Sequence, residues 1–161
     1  MFFWSAITDL PAALERAGVT IDWSDLNEGG ALRMFLESKL QHIGVVDLSN
    51  CTLVNYLFSG CSKLETVDKL VLSDKMTNFI LSNFAGCSAL KNITFDGVIP
   101  TSISMDNSPL LTTASVQSII DHLKDLTGAN AQTLTFHATV GEALTDAQKA
   151  AITAKNWTLV Y

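Results

Sequence analysis

Phe58-Ser59-Gly60-Cys61-Ser62-Lys63-Leu64-Glu65-Thr66-Val67 recurs 26 residues later as Phe84-Ala85-Gly86-Cys87-Ser88-Ala89-Leu90-Lys91-Asn92-Ile93. A weaker copy, one residue shorter, precedes both: Met34-Phe35-Leu36-Glu37-Ser38-Lys39-Leu40-Gln41-His42-Ile43. From there Leu40, Ile43, Val46 and Leu48 match Leu64, Val67, Leu70 and Leu72 at a constant offset of 24. Self-similarity at such a period marks chains whose units cannot bury their apolar side alone and therefore stack to share one core. Each unit reads as a short strand and a return segment. The strands are Val46-Asp47-Leu48, Leu70-Val71-Leu72 and Ile93-Thr94-Phe95, with outer residues facing in and the middle one facing out. The Phe-x-Gly-Cys segment turns the chain, with Gly60 and Gly86 supplying backbone freedom. Phe58 and Phe84 fill the core, and Cys61 and Cys87 fit the corner beside them.

The two ends read differently. Thr8 or Asp9 can cap a helix that runs to about Ala17 and ends at Gly18, with Pro11 tolerated in its first turn. Ile21-Asp22-Trp23 then resembles a first, degenerate strand. After Asn107-Ser108-Pro109-Leu110, the residues Val116, Ile119, Ile120, Leu123 and Leu126 recur at helical spacing. Thr133-Leu134-Thr135-Phe136 reads as a strand. Thr145-Asp146-Ala147-Gln148 is a capping box opening a second helix to about Lys155. Trp157-Thr158-Leu159-Val160-Tyr161 reads as a last strand.

At 23 to 26 residues per unit, the 161 residues accommodate about six strands, near Ile21, Val46, Leu70, Ile93, Leu134 and Leu159. The expected fold is α/β: one domain over 1–161, built as a short right-handed solenoid with a single parallel sheet. Residues 1–30 supply an N-terminal capping helix and first rung, 31–110 the repeats, and 111–161 two helix–strand units that close the C-terminal end.

Composition narrows the function. The chain is 48% hydrophobic and only 16% charged, which excludes a disordered polyelectrolyte. Ten basic against sixteen acidic residues leave a net charge of −6, so nucleic acid is not the expected partner. No apolar run approaches the roughly 18 to 20 residues of a membrane span. Met1-Phe2-Phe3-Trp4 lacks a basic flank and is too short for a leader, so no signal peptide and a cytoplasmic site of synthesis are expected. Cys51, Cys61 and Cys87 are odd in number and lack CxxC spacing, which favours buried free thiols over a disulfide framework or zinc site. The sequons at Asn50, Asn92 and Asn156 carry little weight without secretion.

The Phe-x-Gly-Cys-Ser-x-Leu-x-x-Ile/Val unit resembles the BspA-type leucine-rich repeat, over about residues 34 to 95. The tail from Leu110 to Tyr161 is similar to the ends of repeat proteins found in gut bacteria and their prophages. Its cues are Leu111-Thr-Thr-Ala-Ser115, Ala131-Gln-Thr-Leu-Thr135, Leu144-Thr-Asp-Ala-Gln148 and Lys155-Asn-Trp157-Thr158. The resemblance implies a leucine-rich-repeat fold and a setting at a cell surface or virion, including prophage tail-associated proteins. Family members usually carry longer arrays, and the surface members a leader.

Chemistry-bearing motifs are sparse. His42, His122 and His137 are scattered over different units, with no metal-ligand spacing. His42 and His137 flank strands, where they could face a ligand or stand as solvated edge residues, and His122 reads as structural. There is no GxSxG, GxxxxGK or GxGxxG, and Gly29-Gly30 is a turn signal only. No enzyme, metal or cofactor is expected. Asp22 and Asp47 occupy matching middle positions and would be neighbours on the sheet, which is unfavourable unless a cation or a basic ligand group sits between them. The expected binding row on the exposed face is Asp22, Asp47, Val71, Thr94, Thr135 and Thr158. Three functions compete: a non-enzymatic module that binds a protein or glycan through that face, a structural or homo-oligomerising component, and a small acidic phage-encoded inhibitor of a host protein.

Overall fold

The computed structural model describes residues 7–24, 26, 31–79 and 81–161. Met1–Trp4 and Gly29-Gly30 lie outside the described residues. Helix α1 spans Leu10–Ala17, with Asp9 as N-cap and Gly18 closing it in the left-handed region. The chain then alternates between two sheets. Strands β1 (Ala31–Leu32), β3 (Leu53–Asn55) and β5 (Asn78–Phe79) form one, and β2 (His42–Asp47), β4 (Thr66–Leu72) and β6 (Asn92–Gly97) form the other. A 3-10 turn follows at Leu81–Phe84. Strand β7 (Ile103–Met105) opens a third sheet, completed by β8 (Gln132–Phe136) and β9 (Trp157–Val160). Helix α2 (Thr113–His122) connects β7 to β8, and α3 (Ala138–Glu142) with α4 (Asp146–Ala154) connects β8 to β9. All three sheets are parallel, and each has three strands.

The expected leucine-rich-repeat solenoid, with one sheet of six rungs and a helix capping it, is therefore overturned. Among the described residues, no strand lies near Ile21. The strands near Val46, Leu70 and Ile93 share one sheet, whereas those near Leu134 and Leu159 belong to another, with β7. The reason lies at the edges of the β2-β4-β6 sheet. On the β2 side, the carbonyl of Thr8 accepts from the amides of Gln41 and His42, and Asp9 bridges to His42. On the β6 side, α2 takes the place of a fourth strand. Ser115 Oγ accepts from Ile93 N at 2.9 Å and Ser118 Oγ from Phe95 N at 2.8 Å. Serine hydroxyls thus satisfy edge amides that a further strand would have paired, and a covered edge cannot extend. The return segments also differ from expectation, because three of them are short strands with their own ladder.

The repeat itself is visible in the packing. β2 pairs with β4 at the 24-residue offset, Ile43 against Val67 and Val46 against Leu70. Phe35 stacks on Phe58 at 5.4 Å between ring centroids, and Phe58 lies 5.6 Å from Phe84. Cys61 Sγ donates to Phe35 O, and Cys87 Sγ to Phe58 O, so each thiol ties its unit to the preceding one. All three cysteines are free and buried. A fourth copy, which the sequence does not announce, runs Met105-Asp106-Asn107-Ser108 to Leu111. Met105 and Ser108 are fully buried, Asn107 Oδ1 accepts from Gly86 N, and Ser108 Oγ donates to Cys87 O. Asn83, also fully buried, donates to Val54 O and accepts from Leu57 N, knitting two units where strand pairing stops. Burial of this continuous apolar column is the main stabilising term. Among the described residues, no helix is long and apolar enough to cross a membrane.

Candidate functional site: the outer face of the central sheet

Strands β2, β4 and β6 bury one side and expose the other. Ile43, Val46, Val67, Leu70, Ile93 and Phe95 face the core, each at most 2% exposed. The outer side carries His42, Val45, Asp68, Lys69, Val71, Thr94 and Asp96, all half-buried or exposed. The six residues expected to form one binding row divide among three places. Asp47 and Val71 are register partners, and the third member of their row is Asp96. Thr94 lies on the same sheet but one position away. The register between β4 and β6 shifts between Val67 and Leu70, so that Val67 pairs with Ile93 and Leu70 with Phe95. Strand β4 therefore fits two residues, Asp68 and Lys69, against the single Thr94, a bulge that the Leu70-Val71-Leu72 alignment could not reveal. Thr135 and Thr158 lie in the third sheet on different rows, Thr135 beside Ser104 and Val160, Thr158 beside Thr133. Asp22 lies outside any strand, where its carboxylate accepts from Ser24 N and is held below the usual carboxylate range by that bond. It is not a strand neighbour of Asp47.

Two lysines on and beside this face are paired with carboxylates. Lys69 Nζ is 3.2 Å from Asp96 Oδ2, and Lys91 Nζ is 2.8 Å from Glu65 Oε2. Such exposed pairs contribute little stability, but they fix the charge pattern that a partner meets. Asp96 is lowered below its ordinary value by the Lys69 ammonium and by the Gly97 amide. Asp47 accepts from Ser49 N and closes the turn after β2.

His42 is the residue that sequence reasoning misjudged. Its Nε2 lies 2.8 Å from Asp68 Oδ1 and its Nδ1 3.3 Å from Asp9 Oδ2. Partial burial pulls its proton affinity down, but the hydrogen bonds to Asp68 and Asp9 outweigh that and raise it above the ordinary histidine value. Asp9 is held low by the Ala12 amide and by His42. The signal was available in the repeat. The 24-residue offset places Thr66 beside His42, and Asp68, two residues on, is its same-face diagonal neighbour. Asp9 carries no such signal, because its approach depends on how α1 docks.

The other two histidines and Asn156 of the third sequon make local structural contacts. His122 Nδ1 contacts Ser118 O, and His137 caps α3 by accepting from Thr139 N. Asn156 donates to the carbonyls of Leu126 and Ala129. Among the described residues, no group of three or more His, Cys, Asp or Glu is placed to hold a metal ion. Beside the sheet, Gln41, His42, Glu65, Thr66 and Asp68 line a shallow polar depression of about 390 Å³. Comparison with known proteins found no matching family model, no matching curated protein and no matching solved structure.

Proposed function

We propose that this protein is a non-enzymatic binding module that recognises a protein or glycan through the outer face of β2, β4 and β6. The observation that carries this reading is the placement of equivalent positions from successive repeat copies side by side on an exposed surface, Asp47, Val71 and Asp96 in one row. Val45, 51% exposed, adds an apolar contact beside the paired charges of Lys69 and Asp96. A rigid face with a small apolar centre and a polar surround is the usual anatomy of a recognition patch. The resemblance of residues 34 to 95 to BspA-type repeats supports a surface or virion setting for it.

The test is a glycan microarray and a displayed-peptide library probed with the full chain. Hits are then re-measured with Val45→Glu/Val71→Glu and with a control on a distant face, Leu110→Glu. The reading expects at least a tenfold loss for the sheet variant, about 1.4 kcal/mol, and none for the control. Equal binding by all three proteins would remove the sheet face from consideration.

A second reading, a structural or self-associating component, is favoured by one observation. Among the described residues, the outer edge of β9 has no strand partner, and Val160 and Tyr161 beside it are 45% and 48% exposed.

A further inference from the structure

Besides the buried Leu10 and the backbone bonds to Thr8 O, one histidine side chain links the start of helix α1 to the central sheet. Asp9 ends the helix on one side and meets the sheet on the other: its Oδ1 accepts from Ala12 N at 2.9 Å, while its Oδ2 faces His42 Nδ1. The opposite ring nitrogen of His42 faces Asp68, on β4. The three side chains thus run in a line across α1, β2 and β4, each between about one third and one half exposed.

The chemistry of this line is restrictive. An ionised carboxylate only accepts hydrogen bonds, and a neutral imidazole has a single N–H to donate. A ring with carboxylate oxygens on both nitrogens is satisfied at both ends only as the imidazolium. Once one proton leaves, a ring nitrogen lone pair faces a carboxylate oxygen. The Asp68 contact is the shorter at 2.8 Å, so the remaining proton stays there and the 3.3 Å contact to Asp9 is the one lost. Asp9 is also the residue that starts the helix. The loss therefore falls on the attachment of α1 rather than on the sheet.

Charged groups approach His42 from each element packed against it. From α1 the facing groups are Asp9 and, acting on Asp9 at longer range, Arg16. From β4 the facing group is Asp68, while Lys69 turns to Asp96. From the segment before β4, Glu65 is paired with Lys91. Beneath the helix, Leu10, Pro11, Leu14, Ile21, Trp23 and Val45 line an apolar cleft of about 370 Å³, which would open further if the start of α1 lifted.

We propose that His42 is a proton-controlled pin: its imidazolium fastens the start of helix α1 to β2 and β4, and loss of one ring proton as pH rises releases that end of the helix. Two backbone bonds, from Gln41 and His42 to Thr8 O, hold the chain just before the helix in either state, so the change is a local loosening. The folded ring holds its proton more tightly than free histidine. The added stability is therefore complete below the ordinary value of 6.5 and is lost as pH rises through the higher folded value. This inference does not depend on what the sheet face binds.

The experiment is a pH series of amide hydrogen exchange on the full chain, corrected for the intrinsic pH dependence of exchange, with the His42 ring followed by NMR. The amides of Ala12 and Ala13, which donate to Asp9, are the reporters. Their protection is expected to fall severalfold as the ring titrates, while amides of β4 and α2 hold theirs. Asp9→Asn keeps an N-cap of equal quality but removes the charge, so it should flatten the pH dependence and lower the ring's titration midpoint. His42→Gln should abolish the dependence. The proposal is overturned if the wild-type reporters show no pH dependence, if the ring titrates at or below 6.5, or if either variant retains the full dependence. Should His42→Gln fail to fold, Asp9→Asn alone decides between these results.

Discussion

The turn after each core phenylalanine shows how a single residue type is required and where it is not. Gly60 and Gly86 adopt φ of +75° and +76°, and Glu37 holds the matching place in the first copy at +53°. An L-residue in the left-handed region is disfavoured by roughly 1–2 kcal/mol, of which glycine's extra unfolded-state freedom offsets about half. Glu37→Gly is thus expected to stabilise the protein by about 0.5–1 kcal/mol, read from the urea midpoint at unchanged slope. The Glu37 side chain also faces Gly60: a Cβ placed there would approach Glu37 Cγ to 2.8 Å. Gly60→Ala should consequently be less harmful in a Glu37→Gly background than alone, and strict additivity of the two changes would refute the contact. At this scale the sequence was informative about Gly60, Gly86, Cys61 and Cys87. It was silent about Asn83, Asn107 and Ser108, which carry equivalent connections with different side chains. A hydrogen bond to a neighbouring unit can be made by a thiol, a hydroxyl or an amide, so chemical identity at the position is not needed and residue matching cannot see it.

At the scale of elements, the informative feature is a helix standing where a strand was expected. The helical spacing of Val116, Ile119 and Ile120 identified α2, but its docking depends on Ser115 and Ser118, on the face that meets β6. Ser115 also donates to Lys91 O and is 3% exposed. Ser115→Ala leaves the buried Ile93 amide without a partner, while Lys91 O keeps the Thr112 amide, and the expected loss is roughly 1–3 kcal/mol. The gain in helix propensity on changing Ser to Ala offsets only about 0.5 kcal/mol of it. Thermal unfolding would decide the matter, since an unchanged midpoint in Ser115→Ala would mean that the hydroxyl does not close the sheet. The C-terminal helices conform more closely to their sequence signals. Thr145 and Gln148 make the capping box in full, and Lys155 donates to the last carbonyls of α2, Ile120 O and Asp121 O. Capping boxes are legible because donor, acceptor and backbone lie within four residues. The serines of α2 were not, because their partners lie 22 and 23 residues away.

For the whole molecule, the contrast between guarded and open edges bears on assembly. Both edges of the β2-β4-β6 sheet are covered by chain or helix, whereas the outer edge of β9 is free among the described residues. Trp157-Thr158-Leu159-Val160 carries no lysine, proline or other residue that discourages strand addition. If the self-associating reading holds, sedimentation should show a mass that rises with concentration and returns to that of a monomer in Thr158→Lys/Val160→Lys. A constant monomer mass up to high concentration would exclude it. The sequence by itself determined the repeat period, the 24-residue register of β2 on β4, the phenylalanine column, the presence of helices α1, α2 and α4 and the caps of α1 and α4, because these follow from local periodicity and from side chains meeting at fixed offsets. Only the tertiary structure decided that the strands divide into three sheets, that β4 bulges against Thr94, and that Asp9, His42 and Asp68 meet. Each of these depends on which edge a distant helix covers or on a one-residue slip between strands, and such choices are settled by packing across the molecule rather than by any local run of residues.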